Sequence, residues 1–367
     1  MEHLALYRKY RPKTFEEVVG QDHITKTLAN QILAGKLSHA YLFTGTRGTG
    51  KTSIAKIFAR AVNCENNTKG SPCGECETCK KLLNDNDINI VEIDAASNNK
   101  VDDIRDLREK VKFAPIGAKY KVYIIDEVHM LSDSAFNALL KTLEEPPKYV
   151  IFILATTEVH KLPATILSRC VRFDFRLVSV VDLARHLAHV FDKEGIKYEP
   201  EALKIIAAAG EGSVRDTLSI ADCINAFSNG NVTKEATLKV LGTTDYDLLI
   251  SFFDSLIKKD IGGILELINS IDTSGKNLGV FAKDIARHAR DLLTVKTCKN
   301  PNEILNLPTE VYEKFSEQAK TVSEKDLIEY MQAFSGAEAE LRYTLSTRLL
   351  LETTALSVIN GESGKKN

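Results

Sequence analysis

Gly45-Thr46-Arg47-Gly48-Thr49-Gly50-Lys51-Thr52 fits the pattern G-x-x-x-x-G-K-[ST] in full and follows directly on the apolar run Tyr41-Leu42-Phe43. A buried strand feeding a glycine-rich turn, with a helical pattern opening at Ser53, predicts a βα unit of an α/β fold. The residue types match one kind of ligand, a nucleoside triphosphate. Glycines let backbone N–H groups close on phosphates, Lys51 sits between β- and γ-phosphate oxygens, and the Thr52 hydroxyl reaches a magnesium ion. Gly45, Thr46, Gly48, Thr49, Gly50, Lys51, Thr52 and Ser53 are the expected phosphate contacts, at the positive end of the helix that follows.

Turnover needs more than a phosphate grip. Val122-Tyr123-Ile124-Ile125-Asp126-Glu127 reads as a buried strand of a parallel sheet with two acids at its C-terminal end, where open α/β sheets place their ligands. Asp126 is the expected magnesium partner and Glu127 the group that polarises an attacking water.

Four of the seven cysteines, Cys64, Cys73, Cys76 and Cys79, fall in one C-x8-C-x2-C-x2-C segment. Four thiolates suit a closed, structural zinc site better than a disulfide framework. An iron–sulfur cluster is the alternative, although no cysteine–proline ends the run. Cys223 and Cys298, alone in apolar helical patterns, read as core residues. Lys+Arg 48 against Asp+Glu 50 gives a formal net charge of −2, so no general basic coat for nucleic acid is expected. With 367 residues and 44% hydrophobic content, several domains are expected. No stretch resembles a signal peptide or a membrane span, which predicts a cytoplasmic protein with no membrane partner.

Strand-like runs at 40–44, 88–93, 120–126 and 150–155 alternate with helical patterns at 24–33, 53–61, 101–111 and 134–143, predicting a parallel sheet covered on both faces. Strand signals stop after Phe173-Asp174-Phe175. From Val181 onward the chain reads as helix alone, interrupted at Gly242-Thr243-Thr244-Asp245, with later helices at 246–258, 263–271, 278–295, 311–319, 324–334 and 337–359. Three further residues stand where they can meet a triphosphate. Thr157 ends the run Ile153-Leu154-Ala155-Thr156-Thr157, Arg169 lies in Ser168-Arg169-Cys170, and Arg215 opens a helix after Gly212-Ser213. Singly, each reads as readily as a polar strand end or a surface arginine.

The ordered set of phosphate loop, Asp126-Glu127-Val128-His129, Ala155-Thr156-Thr157, Ser168-Arg169-Cys170 and Gly212 to Leu218 resembles the AAA+ clamp-loader ATPases. Tyr7-Arg8-Lys9-Tyr10-Arg11-Pro12, the four-cysteine insertion and Asn137 to Pro147 narrow the resemblance to the gamma/tau family of bacterial DNA polymerase III. That likeness implies an α/β AAA+ P-loop ATPase domain at 1–178 carrying a zinc module at 64–79. An all-α lid at 179–242, an all-α collar at 243–360 and a disordered tail at 361–367 would follow. It implies an adenine pocket around Tyr7, Arg11, Pro12, Val19 and Gly20, with Thr157 as first sensor and Arg215 as second. Arg169 would act in trans on ATP held by a neighbour.

The implied cofactors are ATP, Mg²⁺ and Zn²⁺. The implied partners are delta and delta prime subunits, further copies of the chain, a sliding clamp and primer-template DNA. Lys100, Arg105 and Lys161 are the candidates for backbone contact with that DNA. The implied place of work is the replication fork at the nucleoid. The chain stops at Asn367, which the resemblance reads as a short form or a truncation, and nothing in it resembles a polymerase active site. The competing readings are a nucleotide-binding scaffold subunit of the same assembly and another AAA+ DNA-remodelling ATPase.

Overall fold

In the computed structural model the described residues are 4–361 other than 68, 84–86, 99–100, 242–245, 275–276, 306, 308, 341–343 and 345. The side chains at 102, 103, 105, 303, 309, 310, 338 and 339 also lie outside the description. The chain divides into two compact units, residues 1–241 and 242–367.

The first unit is built on five parallel strands: β1 Ala40–Thr44, β2 Ile90–Asp94, β3 Lys121–Asp126, β4 Val150–Thr156 and β5 Val171–Asp174. They lie in the order β2-β3-β4-β1-β5. The three central strands are nearly continuous apolar runs because both of their faces are covered. Side chains alternate between the faces along each strand. Tyr41 and Phe43 pack with Ile24, Leu28, Ile54 and Phe58 from helices Asp22–Leu33 and Lys51–Asn63. Ala40 and Leu42 turn to the other side, toward Ile104, Leu107, Leu139 and Leu143 from helices Val101–Val111 and Asp133–Glu144. The register sets Thr44 beside Thr156 and Asp94 beside Asp126, so the strands end level.

Helices Val180–Glu194, Pro200–Ala209, Val214–Ser228 and Lys234–Leu241 follow around a core of Leu183, Leu187, Phe191, Ile206 and Ile224. Each of the two longest starts on a serine cap. The hydroxyl of Ser179 accepts from Asp182 N at 3.1 Å and that of Ser213 from Asp216 N at 3.2 Å. The expectation of helix alone beyond Val181 is corrected by two short parallel strands, β6 Lys197–Tyr198 and β7 Asn231–Val232. Two-residue strands leave no readable alternation; these are held by Val232 in the core and by Tyr198 against Phe191, with ring centroids 5.8 Å apart.

In the second unit, helices Tyr246–Lys258, Ile261–Thr273, Leu278–Thr297, Thr309–Thr321, Glu324–Glu340 and Thr347–Ile359 enclose Phe252, Phe253, Phe281, Phe315 and Phe334. The single helix expected over 337–359 is two: one ends at Glu340 and the next restarts at Thr347, where Ser346 Oγ accepts from Leu349 N at 3.3 Å. Cys223 and Cys298 are exposed, against the core reading. Leu218, Ala221 and Ile224 take the inner face of their helix and leave position 223 outside, while Cys298 is a helix cap. The expected boundary at 242–245 and the tail from 362 onward lie outside the described residues. Among those described, no helix is long and apolar enough to cross a membrane.

Candidate nucleotide and metal sites

β1 delivers the chain into a loop whose turn requires glycine. Gly45, Gly48 and Gly50 have φ of 142°, 77° and 101°, a region that L side chains avoid. Gly48 is also a point of close approach: its carbonyl accepts from Val214 N at 3.1 Å, and a Cβ there would run into the Ser213 hydroxyl. The loop and the start of the Val214–Ser228 helix are thus in direct contact. Thr49 Oγ1 donates to Thr46 O at 2.8 Å, closing the loop on itself. Lys51 is buried, and its Nζ donates to the carbonyls of Gly45 at 2.7 Å and Thr46 at 2.8 Å. Burial pulls its pKa down, while Glu127 and Asp126 oppose the shift.

The acids predicted from β3 meet this loop. Thr52 Oγ1 donates to Asp126 Oδ2 at 2.7 Å, so the two magnesium candidates are already adjacent. Glu127, with φ of 47°, is a non-glycine residue in the left-handed region. Such strain persists where neighbours hold it. Here Thr157 does so, its N–H at 3.3 Å and its hydroxyl at 3.0 Å both donating to Glu127 Oε2. The motif-based resemblance included His129 without giving it a task. The imidazole is buried, with Nδ1 2.9 Å from Thr156 Oγ1 and 3.4 Å from Glu127 Oε2, and with Nε2 3.3 Å from Glu158 Oε1. Its spacing on the turn after β3 is the only trace of this in sequence; the parallel pairing of β3 with β4 makes the contact.

The N-terminal segment reaches the same end of the sheet. Arg215 lies 5.1 Å from the Tyr7 ring centroid, and Arg11 Nε donates to Ser53 Oγ at 3.2 Å, with Pro12 half-buried alongside in sequence. Tyr7 and Val19 pack against the core of the helices that follow the sheet. Gly20, with φ of 75°, lies against Val178, whose Cγ2 would be 2.9 Å from a Cβ. Arg169 is not gathered into this group. It turns to its own subunit's Glu144, Nη2 to Oε1 at 2.7 Å, and donates to Thr165 O at 2.8 Å. Of the DNA candidates, Lys161 is paired with Glu158 at 2.9 Å. Lys100 and the side chain of Arg105 lie outside the described residues.

Cys64, Cys73, Cys76 and Cys79 converge, with all four sulfurs within 4.8 Å of one another. A tetrahedral zinc with bonds of about 2.3 Å needs sulfurs about 3.8 Å apart, so the set fits such an ion. Backbone N–H groups point at the thiols: Cys73 N to Cys64 Sγ at 3.4 Å, Cys76 N to Cys73 Sγ at 3.3 Å and Cys79 N to Cys76 Sγ at 3.3 Å. The amides of Cys76 and Glu75 draw the Cys73 thiol down to about 6, which favours the thiolate a metal needs. An apolar cavity of about 550 Å³ lies at the opposite ends of β2 and β3, lined by Ile88, Phe113, Ile116 and Tyr123. Asn89, Lys110 and Lys121 also line it, and Asp126 and Glu127 do not.

Residues 20–179 match the family described as DNA polymerase III, delta subunit. Residues 182–230 match the DNA polymerase III clamp loader subunit ATPase lid domain, and 232–365 match DNA polymerase III subunits gamma and tau domain III. DNA polymerase III subunit tau of Bacillus subtilis is 46% identical over 358 residues, covering 98% of this chain and 63% of the relative. DNA polymerase III subunit gamma of Buchnera aphidicola is 34% identical over 364 residues, covering 98% of each. The chain therefore spans under two thirds of the tau relative's length and nearly all of the gamma relative's. Among solved structures, the Thermotoga maritima RuvB Holliday junction branch migration motor aligns with a TM-score of 0.50 at 18% identity, over 92% of this chain and 99% of that one, a likeness of fold alone. A gamma relative 34% identical over 98% of both chains and three consecutive domain matches make this chain a member of the DNA polymerase III gamma/tau family.

Proposed function

We propose that this chain is an ATP-hydrolysing motor subunit of the bacterial clamp loader, coupling nucleotide turnover to the opening and loading of a sliding clamp on primed DNA. The observation that carries the reading is the convergence of Lys51, the Thr52–Asp126 pair and the Glu127–Thr157 pair at one end of one parallel sheet. Backbone N–H groups of the glycine-rich loop and the Lys51 ammonium take up phosphate charge. On nucleotide entry Lys51 exchanges its two carbonyl partners for phosphate oxygens. Thr52 and Asp126 would hold a magnesium ion, which when bound supplies further neutralisation of the phosphates. Glu127 orients and polarises a water for in-line attack, and Thr157, bonded to that carboxylate, links its position to the γ-phosphate. Arg215 reports nucleotide state to the lid helices, and Arg169 serves the ATP of an adjacent subunit.

The partners in this reading are delta, delta prime and further copies of the chain, in the cytoplasm, with the four cysteines holding a structural zinc. Any polymerase activity belongs to the larger assembly. Nucleotide binding by the full chain, and hydrolysis by the chain reconstituted with delta, delta prime and sliding clamp, with Lys51→Ala and Glu127→Gln, test it. Lys51→Ala is expected to lose binding, and Glu127→Gln to bind normally while hydrolysis falls on the order of a hundredfold or more. A Glu127→Gln chain that hydrolyses at the wild-type rate would contradict the motor and favour a scaffold that merely holds nucleotide.

A further inference from the structure

The cysteine module does not stand apart from the nucleotide site. Cys64 caps the C-terminal end of Lys51–Asn63, the helix whose first residues are the phosphate contacts Lys51 and Thr52. Asn67, three residues on, donates from Nδ2 to Ala61 O at 2.7 Å and so ties the module to that helix end. Between the first and second cysteines, Gly70 sits against Ala29 of the helix Asp22–Leu33 so closely that a Cβ would come within 2.5 Å of the Ala29 carbonyl oxygen. The next residue, Ser71, is buried. Its Oγ accepts from Phe15 N at 3.0 Å and donates to Glu16 Oε2 at 2.8 Å.

Phe15 and Glu16 lie in sequence between Pro12 and Val19, two of the residues expected at the adenine pocket. Phe15 is buried among Ile24, Leu28 and Phe58, and the carbonyl of Lys13 accepts from Arg60 Nη2 of the phosphate-loop helix at 2.9 Å. The short 3-10 turn Phe15–Glu17 leads in four residues to Val19, Gly20 and Gln21. Gln21 is fully buried; its Nε2 donates to Arg176 O at 2.7 Å and lies 3.5 Å from Thr49 O of the phosphate loop, while Arg176 N donates to Gln21 Oε1 at 3.2 Å. Hydrogen bonds thus lead from the loop between Cys64 and Cys73 to Phe15 and Glu16, and the chain carries on from there to Gln21 beside the phosphate loop.

We infer that the metal module is a positioning device for nucleotide binding: with the four thiolates gathered, Ser71 holds residues 15 and 16, and through them the segment 19–21 against the phosphate loop. The inference rests on the nucleotide reading above. Ser71 touches neither nucleotide nor metal and acts through Phe15 and Glu16. Two sites coupled through one shared arrangement must affect each other by the same factor. Release of the metal therefore weakens nucleotide binding, and bound nucleotide tightens metal binding by the same factor.

The test uses the full chain, ADP carrying a fluorescent ribose label, and a zinc-selective chelator in the presence of excess magnesium. Stripping zinc is expected to weaken ADP binding about fivefold, and saturating ADP to shift zinc affinity by the same factor. Ser71→Ala and Glu16→Gln are expected to keep one zinc per chain, to lose that mutual dependence and, in the assembly with delta, delta prime and clamp, to raise KM for ATP while kcat stays within about twofold. The linkage in the wild-type chain requires no variant, so a Ser71→Ala chain that fails to fold leaves the test in place. ADP binding that is normal and indifferent to zinc overturns the coupling and leaves the nucleotide reading standing. A zinc-loaded chain that binds no ADP overturns both.

Discussion

Glu127 occupies a backbone region that costs a glutamate on the order of 1 kcal/mol or more, and it is held there by two donors from Thr157 and by the nearby imidazole of His129. His129 joins β3 to β4 through Thr156 and faces a carboxylate on either ring nitrogen. In the proposed motor it is a positioning residue for Glu127. Replacing it with Phe removes these contacts at similar bulk and is expected to lower kcat for ATP hydrolysis about tenfold with KM unchanged, because the interaction matters to the attacking water and not to ground-state binding. Steady-state kinetics check this, and an unchanged kcat would show that Thr157 alone places the carboxylate. Lys51, Thr52, Asp126 and Glu127 were legible in sequence because motif chemistry is local. The distant partners of His129 were not, since Thr156 ends a strand 27 residues away that only the parallel register brings alongside, and Glu158 follows just beyond it.

Among the strands, legibility followed apolar sequence. β1, β3 and β4 were readable as apolar runs because helices cover both of their faces. β5 showed only as the last strand signal, Phe173-Asp174-Phe175, because an edge strand needs less apolar surface: of Val171-Arg172-Phe173-Asp174 only Phe173 is buried. β6 and β7 were too short for any period to show, and the break between Glu340 and Thr347 is marked only by a serine cap. The glycines of the phosphate loop were predicted for phosphate contact, yet Gly48 answers equally to the neighbouring helix. Gly48→Ala would push Ser213 and Val214 away from the loop and strain a φ of 77°. It is expected to weaken ATP binding at least about tenfold and to lower stability by about 1 kcal/mol, read by titration calorimetry and thermal melts. Wild-type affinity would mean that the loop and the lid helix bind nucleotide independently.

Across the whole molecule, two separately cored units differ in what they expose to pH. In the second unit His288 is buried between the rings of Phe253 and Phe315, with centroids 4.5 and 4.3 Å away. Its Nε2 is 2.7 Å from Gln318 Oε1, and its Nδ1 is buried without a partner. Burial pulls its pKa from 6.5 down to about 4, against the opposing effects of Gln318 and Asp254. The unfolded chain therefore takes up the proton first as pH falls. Stability is full above about 6.5 and is lost progressively between there and about 4, by about 3 kcal/mol in all. Chemical denaturation of the full chain at pH 7.5 and pH 4.5 is expected to show this loss, and His288→Gln to remove it. An equal loss in that variant would place the titrating group elsewhere.

In the proposed motor a neighbour completes hydrolysis, and Arg169 is the residue that tests this, since within one subunit it pairs with Glu144. The deciding measurement is ATP turnover by the chain reconstituted with delta, delta prime and sliding clamp, with and without primed DNA, for wild type and Arg169→Ala. Turnover stimulated by DNA and clamp, and reduced about a thousandfold in Arg169→Ala with ATP binding intact, is the predicted result. Turnover indifferent to DNA, or unchanged in Arg169→Ala, would contradict it.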